Sequence, residues 1–238
     1  MLEGHISKAF DGDLAALHLR VLAMGGLVLD QVREAAHAYG GWDDEAAEHV
    51  MQRCASVGAY DAGISEEQFA LIARRQPVAS DLRAVISFAR IRDELERAGG
   101  ECAKIAQVVL RQGGRPARSA ATDARHLAEL AVSLMRAALE ALDGLSESGA
   151  TQVVARDREL DAEYAAGLRR LLTHAMEDPR HFDVALEAAF VLKSFERIGD
   201  HARAIAEHVL AMLPRPQREP MPLDAATPAA PSASAGPG

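Results

Sequence analysis

Two pairs of acidic residues have the spacing that would let them act together on helices. Asp157 and Asp161 stand four residues apart, as do Glu196 and Asp200, and on an α-helix that interval stacks both members of a pair on one face. The neighbouring apolar residues identify the face. Val153, Leu160, Tyr164, Leu168, Leu171 and Ala175 form the seam of one helix, and Asp157 completes it where an aliphatic side chain is expected. Asp161 shares that face. On the last helix Val191, Phe195, Ile198, Ala202, Ile205 and Val209 alternate at steps of four and three, with Glu196 and Asp200 just off the seam.

Adjacent antiparallel packing of these helices brings four carboxylates to the border of one contact, where like charges repel and partial desolvation raises the cost. A divalent or trivalent cation resolves the conflict. Several carboxylate oxygens on rigid helices suit hard ions such as Mg, Mn, Ca or ferric iron, so the candidate metal ligands are Asp157, Asp161, Glu196 and Asp200. In the competing reading the same acids face water and pair with Arg156, Arg158, Arg197 and Arg203.

The elements that must position these groups are helices. Of 238 residues 49 % are hydrophobic, mostly Ala and Leu, and only 4 % are aromatic, which supports a sizeable helical core and excludes an all-β sandwich or barrel. Leu14, Leu17, Val21, Met24, Val28 and Val32 define a first helix, interrupted between Tyr39 and Asp43 around Gly40 and Gly41. A second is predicted from about Asp44 to Arg75 and a third from Pro77 to about Arg111, ending at Gly113 and Gly114. The pattern then repeats: Pro116 to about Leu142, with Leu127, Leu130, Leu134 and Ala138 inward, about Ala150 to Met176, and Pro179 to Leu213. Pro77, Pro116 and Pro179 each mark a helix start.

The two triplets read as copies. Leu95-Glu96-Arg97-Ala98-Gly99-Gly100 aligns with Phe195-Glu196-Arg197-Ile198-Gly199-Asp200 at a period of about 100 residues. The fold class is all-α, a tandem duplication of an antiparallel three-helix bundle: six helices, one bundle in residues 1–114 and the other in 115–213. Seven of the ten prolines lie after Leu213, and the Pro/Ala-rich segment 214–238 is predicted to be a disordered tail.

Other chemistry finds less support. Cys54 and Cys102 lie within apolar helical patterns and read as small buried hydrophobes in a reducing cytoplasm. Cys54, Gly58 and Gly100 occupy the places of Asp157, Asp161 and Asp200, leaving Glu96 as the only acid of the set in the first half, which is not expected to hold the same cluster. His174, His201 and His208 receive no role. The chain has no H-E-x-x-H, G-x-S-x-G or Gly-rich phosphate loop, so no catalytic residues are assigned. Glu34-Ala35-Ala36-His37 alone matches the Glu-x-x-His spacing of a carboxylate-bridged di-metal oxidoreductase, a second reading; a metal-free helical scaffold is a third. The Arg74-Arg75-Gln76-Pro77 corner is a charged helix-to-helix turn that could hold an anion, and Gly25-Gly26 permits close helix packing. A net charge of −9 argues against a nucleic-acid partner, and no apolar stretch reads as a leader or a bilayer span.

The sequence resembles the PhoU family, accessory and regulatory proteins of bacterial phosphate-specific transport. The likeness is carried by Lys8-Ala9-Phe10-Asp11, Met24-Gly25-Gly26-Leu27-Val28 and Ile72-Ala73-Arg74-Arg75-Gln76-Pro77-Val78-Ala79-Ser80-Asp81-Leu82-Arg83, and in the second half by Asp157-Arg158-Glu159-Leu160-Asp161, Met176-Glu177-Asp178-Pro179-Arg180 and Phe195-Glu196-Arg197-Ile198-Gly199-Asp200-His201-Ala202. The resemblance implies tandem three-helix bundles whose E(D)-x-x-x-D motifs bind metal clusters, iron among them. It also implies a cytoplasmic, non-enzymatic protein, often a homodimer, that restrains uptake through the ATPase of the Pst phosphate ABC transporter. The same protein would signal phosphate sufficiency to a PhoR-type histidine kinase, keeping the Pho regulon off. Cys54, Gly58 and Gly100 depart from the family pattern.

Overall fold

The computed structural model describes residues 8–111, 118–178, 180 and 182–213; Gly113, Gly114, Pro116, Pro179 and the predicted tail 214–238 lie outside them. The described chain forms α1 (Lys8–Gly41), α2 (Asp44–Arg75), α3 (Ala79–Arg111), α4 (Arg118–Asp143), α5 (Glu147–Glu177) and α6 (Phe182–Met212).

Local chemistry sets the boundaries. The break predicted at Tyr39 comes later, because burying Tyr39 edge-on to Trp42, 5.6 Å between ring centroids, carries α1 through both glycines. The chain turns at Trp42, in the left-handed region at φ 54°, and Asp43 caps α2 by accepting from the N–H of Ala46 at 3.1 Å. α5 likewise begins before Ala150, since Ser146 accepts from the N–H of Gly149 at 3.1 Å. At the α2–α3 corner Gln76 ends α2 at φ 47°, and α3 starts at Ala79, leaving Pro77 in the turn rather than at the helix start.

Helices α1, α2 and α3 pack together, as do α4, α5 and α6, and the two triplets join through α1 on α4 and α3 on α6. One buried apolar cluster runs through both triplets. By length and composition α1 could cross a membrane. Its apolar stripe is instead core: Leu14, Leu17, Val21, Met24, Val28 and Val32 are all buried. Two glycines bring helices close. A Cβ on Gly25 would lie 2.4 Å from Leu139 Cδ2 where α1 meets α4, and one on Gly199 would lie 2.0 Å from Leu160 Cδ2 where α6 meets α5.

Candidate metal centre

The close approach at Gly199 sets the carboxylates of α5 beside those of α6. Asp157, Asp161 and Asp200 each present an oxygen, and the three atoms lie within 4.8 Å of one another. Oxygens sharing one hard cation at about 2.1 to 2.6 Å can be no more than about 4 to 5 Å apart, so the trio has the dimensions of a common ligand set. Asp157 is 2 % exposed, Asp200 is half-buried and Asp161 is exposed, so the cluster opens outward from the seam.

Glu196, predicted as the fourth ligand, lies beside this trio rather than in it. It is buried, and its Oε2 accepts from Lys193 Nζ at 2.5 Å. The physical reason is local: Lys193 sits one turn earlier on α6, near enough to claim that carboxylate. Glu196 nevertheless feels the cluster. Burial, with the charges of Asp200 and Asp161, pushes its carboxyl above the usual carboxylate range, against the opposing pull of Lys193.

The counter-charges are few. Arg203 Nη1 donates to Asp157 Oδ2 at 3.1 Å while its Nε is held by Glu207 at 3.0 Å. Of the other arginines in the competing reading, Arg156 bonds Ser133 at 3.0 Å and Arg197 bonds Glu101 at 3.1 Å. Among the described residues Asp157 Oδ1 is buried without a hydrogen-bond partner. Burial, then the neighbouring Asp161 and Asp200, raises the Asp157 carboxyl above its ordinary value, with Arg203 only partly offsetting them. An under-compensated, oxygen-only cluster with an orphaned buried oxygen fits a hard cation.

The first triplet is built differently. Cys54 Sγ accepts from Gln31 Nε2 at 3.1 Å and its thiol reaches the carbonyl of Val50 at 3.4 Å, while Cys102 is fully buried. Gly58, Glu96 and Gly100 are exposed. Gln31, in place of an aliphatic core residue, leaves its Oε1 buried without a partner beside Gly99. Glu34 and His37 turn to other partners: Glu34 pairs with Arg53 at 2.7 Å and His37 with Asp43 at 3.6 Å.

Sequence reasoning passed over the polar residues that join the two triplets. Glu101, 5 % exposed on α3, accepts from Lys104 at 2.7 Å, Ser194 at 3.0 Å and Arg197 at 3.1 Å, and Glu94 meets His201 at 2.7 Å. His18 adds another link, donating to the carbonyl of Leu142 at 3.0 Å and stacking on Phe88. A signal was available: Glu101 and His201 occupy equivalent positions of the duplicated motif, each polar and each flanking the seam.

The duplication also appears in comparison with known proteins. The family model for the PhoU domain matches twice, at residues 21–109 and 124–209. The chain is 38 % identical over 214 residues to a Pseudomonas putida protein named phosphate-specific transport system accessory protein PhoU homolog, covering 89 % of this chain and 83 % of that one. It is 34 % identical to the Serratia marcescens phosphate-specific transport system accessory protein PhoU, covering 87 % and 86 %. The crystal structure of PhoU from Pseudomonas aeruginosa superposes with a TM-score of 0.82 at 36 % identity, covering 85 % of this chain and 98 % of that one. That of the phosphate transport system regulatory protein PhoU from Streptococcus pneumoniae gives 0.78 at 26 %, covering 85 % and 96 %. With two domain matches in tandem and the same six-helix architecture, this chain belongs to the PhoU family.

Proposed function

We propose that this chain is a cytoplasmic, metal-binding accessory regulator of phosphate transport that acts by protein contact rather than turnover. Its relatives are named as accessory proteins of the phosphate-specific transport system, which supports that coarse role. On this reading it restrains Pst uptake through the transporter ATPase and holds the Pho regulon off through a PhoR-type sensor kinase, working as a homodimer. The observation that supports the metal part is the convergence of the Asp157, Asp161 and Asp200 carboxylates, the first of which has a buried oxygen with no donor among the described residues. Those three residues would hold the ion, with Glu196 in reserve beside them. When bound, the cation supplies positive charge that cancels the repulsion. The protein's own part is to keep the ligands on rigid helices and to anchor Asp157 through Arg203.

Metal analysis of purified protein tests the site directly. The wild type should carry iron, Mn or another hard ion, and Asp161→Ala and Asp200→Ala should each lose most of it; equal content in all three removes the metal reading. The regulatory part is tested in a deletion strain by assaying a phosphate-repressed phosphatase in high phosphate. Expression should be derepressed and restored by the wild-type chain, and repression that persists in the deletion strain speaks against the assignment.

A further inference from the structure

A groove of about 500 Å³ runs between the C-terminal half of α3 and the N-terminal half of α6. Its apolar lining is Val108, Phe190 and Val191. Phe190 is 60 % exposed, and Leu186, one turn earlier on the same face of α6, is 46 % exposed. Its charged lining is mostly basic, with Lys104 and Arg111 on α3 and Lys193 and Arg197 on α6, against two acids, Glu101 and Glu187. Lys193 is matched by Glu196 just outside. The single carboxylate of Glu101 serves both Lys104 and Arg197, and among the described residues Arg111 bonds only the neutral Gln107, at 3.3 Å. Four cations against the carboxylates of Glu101, Glu187 and Glu196 leave one positive charge in excess here, on a chain whose net charge is −9.

We propose that this groove docks an acidic amphipathic helix of a protein partner, with the apolar stripe of that helix on Phe190 and Val108 and its carboxylates toward Arg111, Lys104 and Arg197. Shape selects a helix, because a trough between two antiparallel helices accepts a third rod with i, i+3, i+4, i+7 anchors, whereas a planar bilayer cannot enter it. Charge selects an acidic one. A second copy of this chain is disfavoured, since a twofold contact through the same groove would set its arginines against themselves. The inference goes beyond the regulatory reading and does not depend on metal at the carboxylate cluster.

The test uses the full chain and a designed, fluorescein-labelled peptide of about 18 residues, with Leu at helical i, i+3, i+4, i+7 positions and Glu on the flanks. In anisotropy titrations this peptide should bind at least about tenfold more tightly than a twin with Lys for Glu, and more weakly as salt rises. Phe190→Ser and Arg111→Glu, both at exposed positions, should each weaken binding about tenfold while melting temperature and metal content stay unchanged. Arg111→Glu should also improve binding of the Lys twin. Equal binding of both peptides, or variants that bind like the wild type, would overturn the proposal. It would also be overturned if Phe190→Ser instead abolished self-association, or binding to phosphatidylglycerol vesicles, in a protein that ignores the acidic peptide.

Discussion

Arg203 donates to one oxygen of Asp157 at 3.1 Å, the other oxygen is buried without a hydrogen-bond partner among the described residues, and the same carboxylate clusters with those of Asp161 and Asp200. One guanidinium, shared with Glu207, faces three negative charges. Burial of Asp157 makes that imbalance costly, and the pH response of the protein follows from it.

The metal-free and metal-loaded proteins should respond to pH in opposite senses. The carboxyls of Asp157 and Glu196 are raised in the folded state, so at these two groups the fold binds more protons than the unfolded chain and their ionisation destabilises it. Metal-free protein should therefore be relieved of this cost as pH falls from neutrality toward the ordinary carboxylate range. A bound cation needs ionised ligands, so the gain in melting temperature from added metal should shrink over the same interval. Thermal melts of wild type and Asp157→Asn, with and without Mn, isolate the effect. A pH dependence of the metal-free protein that the substitution leaves unchanged would contradict it.

Two glycines on equivalent stretches of α3 and α6 should respond oppositely to alanine. At Gly199 the new methyl collides with Leu160, itself 1 % exposed in the core. Overpacking of about 1 to 3 kcal/mol, less about 1 kcal/mol of helix propensity gained, leaves Gly199→Ala destabilised by up to about 2 kcal/mol. Gly100 has open space within 4 Å of the same position, so Gly100→Ala should stabilise by about 0.5 to 1 kcal/mol. Urea unfolding curves measure both signs.

Glu101 ties the two triplets together. Burial opposes its ionisation, but hydrogen bonds from Lys104, Ser194 and Arg197 outweigh that and hold its carboxyl below the usual range. Glu101→Gln should cost about 1 to 3 kcal/mol at neutral pH, because the buried negative charge that two cations share is removed and only a neutral amide oxygen is left to accept. Its contribution is present above the ordinary carboxylate range and is lost as pH falls through the depressed folded-state value. The wild-type advantage over Glu101→Gln in chemical denaturation should therefore vanish in strong acid; a constant gap would show that the effect is steric.

The thiols should be inert. Burial pushes the Cys54 thiol up, and burial together with Cys54 and Glu101 pushes Cys102 still further. Iodoacetamide at about pH 8 should leave Cys102 untouched in the native protein and label Cys54 slowly, whereas both should react at once in denaturant. Mass spectrometry reads the outcome, and rapid native labelling of Cys102 would mean that its seam opens.

Periodicity alone determined the helices, because burying an apolar stripe is a local requirement repeated every turn, and the seam of α6 is buried throughout from Val191 to Val209. The same local geometry put Asp157 and Asp161 on one face and the duplication exposed the missing acids at Cys54, Gly58 and Gly100. Tertiary structure decided which carboxylates meet. Glu196 turned to Lys193, Asp200 joined the α5 pair, and Glu101 found Ser194 and Arg197 on a helix in the other triplet. The Glu196–Lys193 pair is an i, i+3 neighbour within α6, but the contacts of Asp200 and Glu101 depend on how rigid helices are rotated and spaced against each other, as where Gly199 admits Leu160, and no interval along one helix contains that information.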